Sequence, residues 1–235
     1  MKTKLLLSSL TCALTLGICS QVSAQQPTTQ ERVLALKASL AASKAILKQY
    51  QWVETTVVSL KGEEKSRKQQ NCYYGADGNV QKILLTPPPA EKKQRGLRGK
   101  IAAEKKEEMA DYMKEAVGLV KQYIPPDPMR IQVAKDAGKV SVSPLPGQSV
   151  RLTFTDFLKP GDSLALTLDL ASNRPLEAKV TTYLEDSKDQ PVTLDVKFST
   201  LPNNATYAST IALDAPGKKL AVNVQNSGYR PMGNQ

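Results

Sequence analysis

From residue 139 to residue 225 the chain alternates apolar and polar residues with a period of two, and this alternation constrains its fold more than any other feature. Leu164, Leu166, Leu168 and Leu170 alternate with Ala165, Thr167 and Asp169, and Val192, Leu194, Val196 and Phe198 alternate with Thr193, Asp195, Lys197 and Ser199. Strand side chains point to opposite faces in turn, so each run has a dry side and a wet side. Antiparallel sheets are the sheets that tolerate one solvated face. The pattern predicts strands over 139–143, 150–157, 163–170, 176–185, 191–200, 206–213 and 220–225. Turn signals such as Pro146-Gly147, Pro160-Gly161-Asp162, Pro202-Asn203-Asn204 and Pro216-Gly217 separate them.

The first half reads differently. Thr28 and Glu31 have capping-box spacing, and Val33, Leu36, Leu40, Leu47 and Tyr50 follow at helical intervals. Ser43 takes the apolar position in the middle and alanines surround it, so the stripe is thin and suited to close packing. Three strands are expected next, over 52–60, 65–74 and 80–86, turning at Lys61-Gly62-Glu63-Glu64 and at Gly75 to Asn79. Pro87-Pro88-Pro89 ends this meander, and 91–100 is basic, glycine-broken and expected to be irregular. A second helix is expected over 101–124, with Met109, Tyr112, Met113, Ala116, Val117, Val120 and Ile124 on one face. Pro125, Pro126 and Pro128 stop it, and 127–136 admits a short helix.

These elements give an α+β fold: a large curved antiparallel sheet, a half-open barrel of about ten strands, covered by an N-terminal helix and a central helix. The expected organisation is a signal peptide over 1–24, a single half-barrel domain over 28–228 with a basic helical insert at 87–136, and a loose tail over 229–235. Lys2 and Lys4, the apolar run from Leu5 to Ile18, and Val22-Ser23-Ala24 make the signal, with cleavage after Ala24. Periplasmic or secreted localisation follows. No later segment is apolar enough to span a bilayer.

Composition narrows the chemistry. The sequence holds no histidine, which removes serine–histidine and cysteine–histidine catalysis and most zinc sites. No glycine loop is placed to cradle phosphate, and no carboxylate pair is singled out by spacing. An enzyme and a cofactor are therefore not expected. Cys12 and Cys19 leave with the signal, so Cys72 stands alone. It reads as a small half-buried strand residue beside Tyr73 and Tyr74, or as a reactive or intermolecular thiol.

Positive charge is concentrated. Residues 61–106 hold 12 Lys and Arg against 5 Asp and Glu. Lys92, Lys93, Arg95, Arg98 and Lys100 are the candidates for contact with an anionic envelope surface or acidic protein, the alternative being a merely solvated face. Nucleic acid is not expected, because the stretch lacks interleaved aromatics.

Two helices must cover the dry face. If they fill it only partly, an apolar cavity able to hold acyl chains remains, lined by Met109, Met113, Val117 and Val120 from the helix and by Leu166, Leu168, Leu194 and Val196 from the strands. If they fill it completely, the same residues are an ordinary core. The order of elements resembles the Lol lipoprotein carriers of the periplasm. It combines a signal peptide, an amphipathic first helix, opening strands at 52–60 and 65–74, and helical material in the middle. Strands like Ser163-Leu-Ala-Leu-Thr-Leu-Asp-Leu170, Asn173-Arg-Pro-Leu-Glu-Ala-Lys-Val180 and Val192-Thr-Leu-Asp-Val-Lys-Phe198 follow, with Pro216-Gly217 before the last strand. The resemblance implies a half-open barrel closed by helices that binds lipid or lipoprotein acyl chains without catalysis. The basic stretch at 91–100 departs from that pattern.

The leading expectation is an exported, non-enzymatic carrier or sensor of a lipid, acyl chain or other apolar ligand held between sheet and helices. The alternative is a periplasmic interaction module with a filled core that docks on an anionic envelope component through its basic segment.

Overall fold

The computed structural model describes residues 28–85, 97–184 and 190–233. The chain order is α1 (Thr29–Leu47), β1 (Tyr50–Leu60), β2 (Glu63–Tyr74), β3 (Val80–Leu84), α2 (Leu97–Val120) and α3 (Pro128–Asp136). Then come β4 (Val140–Leu145), β5 (Ser149–Thr155), β6 (Ser163–Asp169), β7 (Pro175–Tyr183), β8 (Pro191–Thr200), β9 (Thr206–Ala215) and β10 (Leu220–Pro231). All ten strands form one antiparallel sheet in the order β3-β2-β1-β10-β9-β8-β7-β6-β5-β4. The sheet is curved and does not close, because β3 and β4 are its two edges.

That topology explains where the cover comes from. Short turns join antiparallel neighbours, but the link from β3 to β4 must travel from one edge of the sheet to the other. α2 and α3 lie on this link, and their apolar residues fall on the sheet's dry face. Tyr112, Ala116 and Val120 of α2 and Ile131 and Ala134 of α3 share one buried cluster with Leu152, Phe154, Leu164, Leu166, Leu168, Val180 and Leu194. α1 adds Val33 and Leu36 to it. The cover is thus three helices, the 127–136 segment forming the third with Asp127 as its N-cap, whose side chain accepts from Met129 N–H at 2.9 Å.

α1 begins where the capping box places it. The Thr28 hydroxyl accepts from Glu31 N–H at 3.3 Å, and the Glu31 carboxylate accepts from Thr28 N–H at 2.7 Å. Its buried face is Val33, Leu36, Ser43 and Leu47. Ser43 serves there as a polar anchor: its hydroxyl accepts from the backbone N–H of Thr206 at 3.0 Å, tying α1 to the start of β9.

Two expectations are corrected. α2 occupies Leu97–Val120 rather than 101–124. Four residues expected to be irregular are helical, so Gly99 sits inside the helix at a cost of about 1 kcal/mol relative to Ala. At its other end α2 stops short of the Pro125 boundary, since a residue preceding proline disfavours helical geometry. The chain turns there, with Tyr123 N–H bonded to the Val120 carbonyl at 3.1 Å. The second correction concerns the tail. Tyr229, Arg230 and Pro231 belong to β10, where Arg230 pairs with Gln51 and Pro231 with Tyr50. The strand passes Asn226-Ser227-Gly228 through a register shift against Gln51 and Val53. Gly228 takes φ +63 there, a conformation side chains rarely adopt.

One buried polar cluster fastens the α2–α3 connection to the sheet. The Asp162 carboxylate accepts from the backbone N–H groups of Phe157 (2.5 Å), Leu158 (3.0 Å) and Lys159 (2.9 Å). The Tyr123 hydroxyl donates to the same carboxylate at 2.6 Å and accepts from Thr182 at 2.8 Å. Burial, followed by the neighbouring Asp162 charge, pushes the Tyr123 phenol well above its ordinary value. Tyr123→Phe leaves the Thr182 hydroxyl without its partner in a dry site and takes one of three donors from Asp162 Oδ2, which keeps the Leu158 and Lys159 N–H groups. The expected loss is about 1–3 kcal/mol, read as a lower urea midpoint at unchanged slope.

Candidate functional site

The strongest candidate site lies under the C-terminal half of α1, where β1, β2, β9 and β10 come together. A cleft of about 230 Å³ is lined there by Leu40, Lys44 and Leu47 of α1, by Trp52, Tyr74, Phe198, Tyr207 and Tyr229 from the sheet, and by Thr206, Ala208 and Asn226. Period-two geometry puts it together. Trp52 lies opposite Cys72 on β2, and two residues on, Tyr74 faces the same way. The β10 shift at Gly228 brings Tyr229 onto Trp52, the rings stacked at 5.4 Å between centroids and 11° between planes. Tyr74 lies 5.6 Å from Trp52, and Tyr207 lies 4.3 Å from Tyr229. Four aromatic rings from four strands therefore form one wall, with geometries in the favourable range for aromatic pairs.

Hydrogen bonds hold the wall. Trp52 Nε1 donates to Asn226 Oδ1 at 3.1 Å, and Asn226 Nδ2 donates to the Ala208 carbonyl at 2.9 Å. Behind Trp52, the nearly buried Glu54 accepts from Lys82 Nζ at 2.5 Å and from the Thr56 hydroxyl at 3.3 Å. Lys44 Nζ stands 5.8 Å from the Tyr74 ring centroid, at the α1 side of the cleft. Burial pushes the phenols of Tyr74 and Tyr229 above their ordinary value.

Each sequence candidate has a definite place. Val120, Leu166, Leu168, Leu194 and Val196 are buried in the single main cluster, and Met109, Met113 and Val117 pack half-buried against it. The structure thus brings the eight apolar candidates together as neighbours, away from the aromatic cleft. The basic candidates are not gathered in the same way. Lys92, Lys93 and Arg95 lie outside the described residues, Arg98 lies in the first turn of α2, and Lys100 is exposed. Cys72 is fully buried on β2, its Sγ 3.8 Å from the Gln70 carbonyl, and burial pushes its thiol up. A neutral buried thiol is a poor nucleophile, so this position is the small core residue of the two readings.

Among the described residues no group of three or more His, Cys, Asp and Glu is placed to hold a metal ion. No described helix is long and apolar enough to cross a membrane. A further cleft of about 430 Å³, at the β1–β2 turn, is lined by Lys61, Lys219, Asp214, Leu220 and neighbours and has no aromatic wall.

No family model and no curated protein matches the chain. Solved structures do. One is a DUF1329 family protein from Desulfovibrio piger, at 12% identity and TM-score 0.40, covering 86% of this chain and 95% of that one. A LolA superfamily protein from Nitrosomonas europaea matches at 10% identity and TM-score 0.38, covering 85% and 94%. A domain named for outer membrane lipoprotein sorting, from Vibrio parahaemolyticus, matches at 14% identity and TM-score 0.38, again covering 85% and 94%.

The raised phenols have a pH consequence. Below the ordinary tyrosine value of 10.0, Tyr229 is protonated in both the folded and the unfolded chain, and its burial is fully compatible with folding. From about pH 10 upward the unfolded chain loses the proton first, so stability falls as pH climbs toward the raised folded value. Tyr229→Phe removes this contribution. Its urea midpoint is expected to decline less steeply above pH 10 than that of the parent.

Proposed function

We propose that this protein is an exported, non-enzymatic carrier or sensor that holds a lipid, acyl chain or other apolar ligand between its sheet and its helices, with the cleft under α1 as the place of entry. The observation supporting this most directly is the aromatic wall. Trp52, Tyr74, Tyr207 and Tyr229 face a cleft roofed by Leu40 and Leu47, and Leu40, Phe198 and Ala208 of its lining also pack against the main core. Concave, mostly apolar sites with a few placed polar groups are the usual form of small-molecule sites.

Size sets how such a ligand sits. About 230 Å³ falls below the roughly 300–1,000 Å³ of pockets that enclose drug-sized molecules. The cleft as it stands takes one end of a chain. A longer chain would part the helices from the sheet, along the face of Met109, Met113 and Val117, where flexible methionines ease repacking. In sequence Lys92, Lys93 and Arg95 precede α2 and Arg98 and Lys100 fall in its first turn, and in this reading these five basic residues meet anionic groups of a membrane or partner.

One observation favours the second reading, a module with a filled core. Val120 and the leucines of β6 and β8 already form one buried cluster without a ligand. The two readings separate in one experiment, because Trp52 is the sole tryptophan and reports on its own surroundings. Protein purified from the periplasm is expected to yield extractable lipid, and fatty-acid titration is expected to change Trp52 emission saturably. Tyr229→Ala, which removes the stacked ring, is expected to weaken binding roughly two- to tenfold. Absence of both lipid and emission change rejects the carrier, and salt-sensitive capture of an acidic partner would then support the module.

A further inference from the structure

We infer that the cleft under α1 selects an anionic amphiphile, whose apolar body lies on the aromatic wall and whose carboxylate or similar oxygen head sits between Lys44 and Thr206. This rests on the proposed apolar-ligand reading and names the ligand's head group.

The polar groups of the cleft divide into those already used and those left over. Asn226 is used at both ends of its amide, by Trp52 and by the Ala208 carbonyl. The Thr206 backbone N–H is used by Ser43. The Thr206 hydroxyl is not: the residue is 3% exposed, and its Oγ1 has no hydrogen-bond partner among the described residues. A buried hydroxyl without a partner is costly, and a ligand oxygen accepting from it would recover that cost.

Charge supplies the sign. Lys44 is the sole charged residue among those lining the cleft, and no carboxylate lines it. Four aromatic rings could in principle cage a quaternary ammonium. Here the cation is already supplied by the chain, with Lys44 Nζ over Tyr74, and a second positive charge would be repelled. The two recognition groups are also neighbours through the backbone. Ser43, which precedes Lys44, accepts the Thr206 N–H at 3.0 Å, so the turn of α1 that carries Lys44 is tied to Thr206, and a ligand head at Thr206 would draw the flexible Lys44 side chain from its place over Tyr74.

The test uses the full exported protein and three probes with the same chain at pH 8, each kept monomeric in solution: dodecanoate, dodecanol and dodecyltrimethylammonium. Trp52 emission gives the affinities. Dodecanoate is expected to bind roughly tenfold or more tighter than dodecanol, the margin of a charge-assisted hydrogen bond, with the ammonium weakest. Lys44→Gln is expected to erase the preference by weakening dodecanoate binding far more than dodecanol binding. Thr206→Val, near-isosteric, is expected to weaken binding of both, dodecanoate by the larger factor because a hydrogen bond to a charged acceptor is the stronger one. Equal affinity for dodecanoate and dodecanol, or tightest binding of the ammonium, overturns the head-group assignment and leaves the apolar-ligand reading standing. No saturable change with any of the three overturns that reading itself.

Discussion

The pairing of β1 with β10 is the constraint on which the rest of the molecule depends. Every other ladder joins strands that follow one another in sequence, so each forms locally by a hairpin. Only β1–β10 joins the opening meander to the closing one, over a register running from Tyr50 opposite Pro231 to Leu60 opposite Leu220. Without it the chain holds two smaller sheets, each with an exposed edge beside an apolar face. With it the link between β3 and β4 must span the sheet from edge to edge, which puts α2 and α3 across the dry face. Loop-closure cost rises only logarithmically with length, so ten paired positions suffice to hold so distant a contact.

The same pairing creates the cleft. Trp52 comes from β1, Tyr74 from β2, Tyr207 from β9 and Tyr229 from β10, and these four strands are consecutive in the sheet only because β1 and β10 meet. The register shift beside Gly228 aims Tyr229 at Trp52 rather than away from it. In a regular ladder a one-residue slip sends a side chain to the other face. The bulge is therefore what makes Tyr229 a wall residue.

This explains which parts were legible in the amino-acid sequence. Each strand was visible because alternation is a local signal. The segments expected at 163–170 and 191–200 are β6 and β8 to within a residue. The capping box at Thr28 and the polar Ser43 in an apolar stripe were equally local, and the structure gives Ser43 a specific partner in Thr206. The cleft was not legible, because its walls are separated by as many as 177 residues and depend on strand order and a bulge. Tyr229 was assigned to a loose tail since Asn226-Ser227-Gly228 breaks the alternation. A strand that continues through a bulge looks, in sequence, like a strand that has ended. The four wall aromatics, in a chain with one Trp, 8 Tyr and 3 Phe, were the available signal, and only their positions near strand ends hinted at a shared site.

The question of a filled or an open core divides by helix. α2 and α3 bury Tyr112, Ala116, Val120, Ile131 and Ala134 in the main cluster, and Tyr123 is bonded to Asp162 beneath them. Moving them would open several large apolar contacts and a dry carboxylate, each costly by itself. α1 is held differently. Its buried face is Val33, Leu36, Ser43 and Leu47, one of the four polar, and over its C-terminal half Ser43 is tied to Thr206 by a bond worth about 1 kcal/mol. Leu40 and Leu47 line the cleft there, Leu47 buried and Leu40 only partly buried against the main core, so the Leu40 side of the helix lacks some of the dispersion contacts that a full core supplies. A ligand entering under α1 therefore disturbs less than one entering under α2 and α3, and the apolar surface it would cover there is that of Leu40, Leu47 and the aromatic wall.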